Sequence, residues 1–294
     1  MKSLLIIWIF LLIVISTTSF TFKKIDYREG RYKNVCKDLN NEVLLYFVFV
    51  DTKTTSPWTE FDMISTIDSI NVATNWLEKQ AELNKISLKI KTDYYIGNEY
   101  ATITRNLPQG SVKNSIEDKS LTKGLEELNK WSDFVSNKAG LSFSIKDKDG
   151  IPKQNNPKNT ERLIAHLRDE FNVESVAILF LVNNYYRSDI SIALNTLNTD
   201  DVEFAIVSYK YPSEIAHNFL HLYGAADLYL TPLRKSERKI KLAAEYFPSD
   251  IMQDPYAKNI TNLEISDFTK YLIGWTEELD PKYETLLTDR IVNF

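Results

Sequence analysis

Three uninterrupted apolar runs, rich in β-branched and aromatic residues, limit most strongly the folds that this chain can adopt. Each run is short and contains no charged residue, which is typical of a strand buried on both faces of a parallel sheet. The runs occupy residues 43–50, 176–182 and 204–208. The sequence therefore predicts an α/β protein built on a mixed, partly parallel sheet.

Segments with helical spacing separate these strands. Apolar residues recur every three or four positions from residue 61 to residue 83, which predicts a long helix. Residues 86–91 then alternate between apolar and charged side chains, as a strand with one exposed face does. With the first apolar run they predict a parallel strand–helix–strand unit, which is normally right-handed. Further helices are predicted over residues 121–135, from Thr160 as N-cap to residue 171, over residues 231–245 and over residues 264–272, and a further strand over residues 141–145.

Size and charge restrict the domain count and the partners. A chain of 294 residues with 44% hydrophobic content can bury a sizeable core. Because no repeat or second-domain signal is present, we predict one domain over residues 20–294, with residues 98–159 as an insertion. The net charge of -5, with lysines and carboxylates interspersed, leaves no basic patch and argues against nucleic acid as a partner.

The first 19 residues have the pattern of a signal peptide: a basic start, an apolar run and an exit of small residues. We therefore expect export to a secreted, periplasmic or cell-surface location. The apolar run is shorter than the roughly 20 residues of a spanning helix, so no stable membrane insertion is expected after cleavage. An uncleaved N-terminal anchor is the alternative. Cys36 is the only cysteine, which excludes an internal disulfide, and we expect its thiol to be buried.

The segment that follows the third apolar run carries two of the three histidines and predicts a metal site. If a helix begins near residue 212, His217 and His221 lie four residues apart on one face, where two imidazoles can chelate one ion. Gly224 is expected to end that helix in a left-handed turn. Asp227 would then supply a third ligand, an oxygen, to a tetrahedral zinc ion with one open position. The pattern is H-N-x-x-H-x-x-G-x-x-D.

This pattern resembles the zinc-binding signature of the metzincin metallopeptidases, in the variant whose third ligand is aspartate. The family has a glutamate where this chain has Asn218, and that glutamate takes a proton from the zinc-bound water. The neutral amide of Asn218 cannot accept a proton near neutral pH. Residues 247–255 resemble the Met-turn that lies beneath the metal in metzincins, with Met252 as its methionine.

The resemblance implies an α+β zincin-like fold with an active-site helix and a C-terminal subdomain that contains the Met-turn. It also implies a cleft lined by an edge strand and loop at residues 187–194. We expect Asn218 to face the open zinc position. The implied function is an exported zinc-binding protein with absent or much reduced proteolytic activity, which holds a peptide or protein in its cleft.

Two alternatives remain open at this point. In the first, the protein is an active zinc peptidase in which Glu214, one helical turn before His217, acts as the base. Asp227 is a further candidate base if it is not a ligand. In the second, the helix binds no metal and the protein is a structural or peptide-binding module. His166 has no metal-like partner nearby in the sequence, and we interpret it as a surface or packing residue.

Overall fold

The computed structural model of the chain describes residues 36, 39–97, 102–108, 121–140, 158–183, 191–194, 202–208, 211–231 and 236–287. The predicted signal peptide, the predicted strand at residues 141–145 and the first half of the predicted cleft segment, residues 187–190, lie outside these ranges. Within the described residues, no helix is both long enough and apolar enough to cross a membrane.

The described strands form one mixed sheet. Its strands are β1 (Asn41–Asp51), β2 (Leu88–Tyr95), β3 (Ile103–Thr104), β4 (Ser175–Val182), β5 (Ser191–Leu194) and β6 (Phe204–Val207). The order across the sheet is β2-β1-β4-β6-β5, and β3 pairs with the end of β1. All pairs are parallel except β5 with β6, which is antiparallel and lies at one edge. The prediction of a mixed, partly parallel sheet is confirmed.

Each of the three apolar runs forms a strand that is buried on both faces, as predicted. In β1 every residue from 43 to 50 is buried, and all of β4 and β6 are buried. Because successive side chains of a strand point to opposite faces, one strand supplies two cores. β2 follows β1 in parallel after a long helix, which confirms the parallel crossover, and it begins at residue 88 and continues to residue 95.

The described helices are six α-helices and two short 3₁₀ turns. They are α1 (Glu60–Leu83), α2 (Leu121–Gly140), α3 (Asn159–Phe171), α4 (Pro212–Leu222), α5 (Glu237–Tyr246), α6 (Asp267–Leu272) and the 3₁₀ turns Ile260–Asn262 and Pro281–Leu286. Each predicted helix is present, but α2 runs five residues beyond its predicted end, α5 begins at residue 237 rather than 231, and α6 begins at residue 267 rather than 264.

The predicted N-cap of α3 is wrong. Lys158 occupies the N-cap position, and Thr160 is buried inside the first turn. The Asp133 carboxylate on α2 accepts hydrogen bonds from the backbone N–H groups of Asn159 at 2.6 Å and Thr160 at 3.3 Å. A neighbouring helix therefore satisfies the first-turn donors that a threonine hydroxyl would otherwise bond.

Helices cover both faces of the sheet. On one face, Val43, Leu45, Phe47 and Phe49 of β1 pack in one core with α1, α4 and the C-terminal segment. On the other face, the alternate β1 residues form a second core with α2 and α3. Trp131 of α2 is fully buried in this second core, so part of the predicted insertion belongs to the packing of the sheet. Cys36 is buried as predicted, and burial raises the pKa of its thiol.

Candidate metal centre

Helix α4 carries both histidines of the predicted site. Pro212 is the first residue of the helix, a position where its missing N–H group costs no hydrogen bond. Except for His221, every residue from 213 to 222 is buried, because the helix lies between the sheet, α1 and the C-terminal segment. The helix is therefore held on several sides, which fixes the direction of its side chains.

Gly224 redirects the chain after α4. Its φ angle of 98° lies in the region that glycine adopts at little cost. A Cβ atom at this position would lie 3.1 Å from the Leu272 carbonyl oxygen at the end of α6. The Ala225 N–H group donates to the Leu220 carbonyl oxygen at 3.1 Å, which closes the helix end. This turn brings Asp227 back to the histidines.

The three predicted ligand atoms converge. His221 Nε2 lies 3.0 Å from His217 Nε2 and 3.0 Å from Asp227 Oδ1. His217 Nε2 lies 3.3 Å from Asp227 Oδ1. A tetrahedral zinc ion with bonds of about 2.0 Å places its ligand atoms about 3.3 Å apart, so the three atoms match one face of that tetrahedron. Of the described residues, only these three form a group of His, Cys, Asp or Glu side chains that could hold a metal ion.

The backbone fixes the protonation of both imidazoles. His217 Nδ1 lies 2.9 Å from the Ile251 carbonyl oxygen, and His221 Nδ1 lies 2.8 Å from the Ala225 carbonyl oxygen. A carbonyl oxygen only accepts hydrogen bonds, so both Nδ1 atoms carry a proton. In a neutral imidazole the lone pair is then on Nε2, which is the usual arrangement of a metal-ligating histidine. Two lone pairs and a carboxylate oxygen about 3 Å apart repel one another unless a cation lies among them.

The charged groups of the centre shift each other's pKa values. Burial acts to lower the pKa of His221, but the Asp227 carboxylate outweighs it and raises that pKa above its ordinary value. Burial acts to raise the pKa of Asp227, but His221 and His217 hold it well below its ordinary value. The side chains are 4% exposed at His217, 16% at His221 and 22% at Asp227. The centre is therefore reached by solvent from the side of Asp227.

Residues 247–253, the first part of the segment 247–255 that resembles the Met-turn, contact this centre through the main chain. The Ile251 carbonyl accepts from His217, and the Met252 carbonyl oxygen accepts from the Leu228 N–H group at 2.8 Å. The Met252 side chain is fully buried in the same core as α4. This segment therefore orients the first histidine and fixes the chain directly after Asp227.

Asn218 directly follows His217 on α4, and Glu214 precedes His217 by about one helical turn. Both are buried. The Asn218 amide donates from Nδ2 to the Glu214 carbonyl oxygen at 2.8 Å, so its N–H group is turned back along its own helix. The Glu214 charge is one of those that raise the pKa of Tyr229, whose ring centroid lies 6.1 Å from that of His217. Glu214 itself lies three residues before His217, about one helical turn away along α4.

Tyr229 is a residue of the centre that the sequence analysis missed. Burial and the charges of Asp227, Asp254 and Glu214 raise the pKa of its phenol, so the hydroxyl keeps its proton. The only sign of it in the sequence is its position two residues after Asp227. That position indicates a place near the centre only when the direction of the chain after Gly224 is known.

Of the two other predicted positions, His166 lies far from the three ligands and the cleft segment lies beside their helix. His166 is on α3, across the sheet from α4, with its Nε2 atom 2.7 Å from Glu170 Oε2. Residues 191–194 of the predicted cleft segment form the edge strand β5, which contacts α4. No protein family model and no curated protein matches the sequence.

Proposed function

We propose that the protein is an exported, metzincin-like zinc-binding protein with absent or much reduced proteolytic activity. The observation that carries this proposal is the convergence of His217 Nε2, His221 Nε2 and Asp227 Oδ1, with both Nδ1 atoms bound to carbonyl groups. The mixed sheet with an antiparallel edge strand beside α4 supports it. Export is proposed from the signal-peptide pattern of residues 1–19.

In this proposal His217, His221 and Asp227 hold the zinc ion. A bound zinc ion would lower the pKa of a coordinated water to about 7 and polarise a carbonyl group. Hydrolysis also needs a base within hydrogen-bond distance of the water, and the amide of Asn218 cannot accept a proton. General-base help is worth about 10²- to 10⁴-fold in rate, or on the order of 3–5 kcal/mol of barrier. The cleft beside β5 would therefore bind an extended peptide or protein segment rather than cleave it efficiently.

The second candidate is an active zinc peptidase in which Glu214 is the base. The observation that favours it is the position of Glu214, which is buried on α4 three residues before His217, about one helical turn away. A third candidate, without metal, requires a shared proton to hold the two Nε2 atoms and the carboxylate together. The three candidates differ in metal content and in activity.

Metal analysis of the purified protein tests the proposal. We expect about one zinc ion per chain, and its loss in His217→Ala, His221→Ala and Asp227→Ala, because a zinc ion with one open position is held by three protein ligands. His166→Ala is the matched control, since His166 lies across the sheet, and it should keep the metal. Iron is measured beside zinc because two histidines and one carboxylate also bind non-haem Fe(II). Equal metal content in wild type and ligand variants would contradict the site.

A further inference from the structure

A cavity of about 460 Å³ lies where β1 and β3 end beside α2. Its walls include Lys53, two residues after β1, Arg105 and Asn106, which follow β3, and Lys130 and Trp131 of α2. α2 packs against the opposite face of the sheet from α4, so this cavity is separate from the metal centre. Both its position at the carboxyl ends of parallel strands and its volume are typical of small-molecule sites.

Hydrogen bonds hold the walls of this cavity in place. The Lys53 backbone N–H group donates to Asn106 Oδ1 at 2.8 Å, and the Arg105 N–H group donates to the Asp51 carbonyl oxygen at 2.8 Å. The indole N–H group of Trp131 donates to the Arg105 carbonyl oxygen at 3.3 Å. These bonds join the loop after β1, the segment after β3 and α2, so the walls of the cavity are preorganised for a ligand.

The cavity is positively charged, although the whole chain has a net charge of -5. Its walls carry three cations, Lys53, Arg105 and Lys130, and one carboxylate, Glu127, which pairs with Lys130 at 2.9 Å. Among the residues that the structure describes, neither Lys53 nor Arg105 forms an ion pair. The guanidinium carbon of Arg105 lies 4.2 Å from the centroid of the Phe134 ring, where cation–π attraction holds it. Two cations are therefore available to an anion in the cavity.

We infer that this cavity binds a small organic anion whose phosphate or carboxylate group pairs with Arg105 and Lys53. A guanidinium presents a planar fork of N–H groups that matches two oxygens of such a group, and an ammonium adds a second positive charge. The cavity is far larger than one phosphate or carboxylate group, so the ligand also has an organic body. Pro108 and Trp131 line the same cavity, and the body would lie against them. The site is independent of the metal centre and gives the protein a second ligand.

The test is a calorimetric titration of the full chain with four probes at constant ionic strength. Phenyl phosphate and benzoate carry the two candidate anionic groups on the same ring, inorganic phosphate has no ring, and benzamide has the ring without the charge. We expect phenyl phosphate or benzoate to bind, and the tighter of the two identifies the anionic group. Inorganic phosphate should bind more weakly than phenyl phosphate, and benzamide should not bind measurably.

Variants of the two cations locate the bound anion. Arg105→Gln and Lys53→Gln should each weaken the tighter anion on the order of 10-fold, because each removes a charge-assisted contact. Arg105→Lys keeps the charge without the fork and should have an affinity between those of wild type and Arg105→Gln. Lys258→Gln is the matched control, since Lys258 is an exposed lysine of the C-terminal segment, and it should bind as wild type does.

Treatment with a chelator separates this cavity from the metal centre, where an oxyanion could also bind. The affinity for the anion should be the same in chelator-treated and zinc-loaded protein, and its loss on chelation would place the anion on the metal and overturn the inference. Unchanged affinity in both Arg105→Gln and Lys53→Gln would overturn it as well. So would a failure of both aromatic anions to bind, or benzamide binding as tightly as they do. None of these results depends on whether the protein binds zinc.

Discussion

Asn218 follows the first proposed zinc ligand on α4 and is buried with its amide bonded to the Glu214 carbonyl. Asparagine and glutamate differ here in charge, in length and in their ability to accept a proton. A glutamate has one more methylene, which lets its carboxylate extend past the helix backbone where the shorter amide folds back on it. Compared with the glutamate of the proposed signature, Asn218 therefore lacks a base and has a shorter side chain.

We predict that Asn218→Glu creates or raises peptidase activity in the zinc-loaded protein, by up to the roughly 10²- to 10⁴-fold that general-base help is worth. The measurement is the cleavage rate of a mixture of unstructured peptides, with its pH profile showing a new ionisation on the acidic limb. Asn218→Gln is the matched control, because it has the length of glutamate without the base, and it should stay inactive.

Two other results would contradict this prediction. If wild type is already as active as Asn218→Glu and Glu214→Gln abolishes that activity, Glu214 is the base and the reduced-activity proposal is wrong. If Asn218→Glu stays inactive with zinc bound, the cleft does not hold a peptide in a reactive position.

Among the elements, the segment of residues 247–253 is held in place by one carboxylate. Asp250 accepts hydrogen bonds from the Met252 N–H group at 2.6 Å and from Ser266 N–H and Thr269 Oγ1 of the α6 region at 2.9 and 2.7 Å. Asp250 is buried, and burial raises the pKa of its carboxyl although these hydrogen bonds oppose the shift. This carboxylate thus joins α6 to the segment that orients His217.

We predict that Asp250→Ala destabilises the protein by on the order of 3 kcal/mol, because each buried donor left unsatisfied costs about 1–3 kcal/mol. Zinc affinity should fall as well, since the Ile251 carbonyl loses its fixed position. Denaturant unfolding and competition with a chelator measure the two effects. Asp267→Ala, which removes an exposed carboxylate on α6, should change neither. A variant that loses stability but keeps wild-type zinc affinity would show that this segment does not orient His217.

The helices and strands were predictable where local pattern decides them. The three apolar runs became buried strands because they are short and rich in β-branched and aromatic residues, a composition that favours strands buried on both faces over helices. Tertiary contacts decided the rest. The Asp133 carboxylate, rather than the Thr160 hydroxyl, accepts the hydrogen bonds from the first N–H groups of α3. Phe61 and Ile64, which fit the helical period of α1, are 77% and 52% exposed, because the period alone does not show how wide a face the neighbours cover.

At the scale of the whole molecule, the centre joins segments that are distant in sequence. The spacing of His217, His221 and Asp227 within one short motif made these three residues predictable. The Ile251 carbonyl that fixes the first imidazole lies 34 residues from His217 and has no side-chain signature. Main-chain partners are invisible in a sequence, so the orientation of the ligands emerges only from the packing of the C-terminal segment against α4.

The centre is formed by α4, the turn after Gly224 and residues 247–253. Metal binding should therefore stabilise all three segments together, and the size of this stabilisation should depend on pH. Without metal, His221 has a higher pKa in the folded protein than in the unfolded chain. It therefore stabilises the fold at pH values below its unfolded-state pKa of about 6.5, and this stabilisation is lost as the pH rises through its folded-state pKa. Asp227 has a lower pKa in the folded protein than in the unfolded chain. It therefore stabilises the fold above about pH 4, and this stabilisation is lost as the pH falls through its folded-state pKa. The metal-free centre therefore contributes most between about pH 4 and 6.5.

Zinc requires both imidazoles in the neutral form, so protons compete with it more strongly as the pH falls. We predict that added zinc raises the midpoint of thermal unfolding more at pH 8 than at pH 5.5, measured against chelator-treated protein at each pH. At about 100 times the dissociation constant the stabilisation is about 2.7 kcal/mol, which corresponds to a rise of roughly 5–10 °C for a domain of this size. His217→Ala should show no zinc-dependent rise at either pH. An equal rise at both pH values in wild type would mean that zinc binds without displacing a proton from the histidines, and it would contradict the assignment of their Nε2 atoms as ligands.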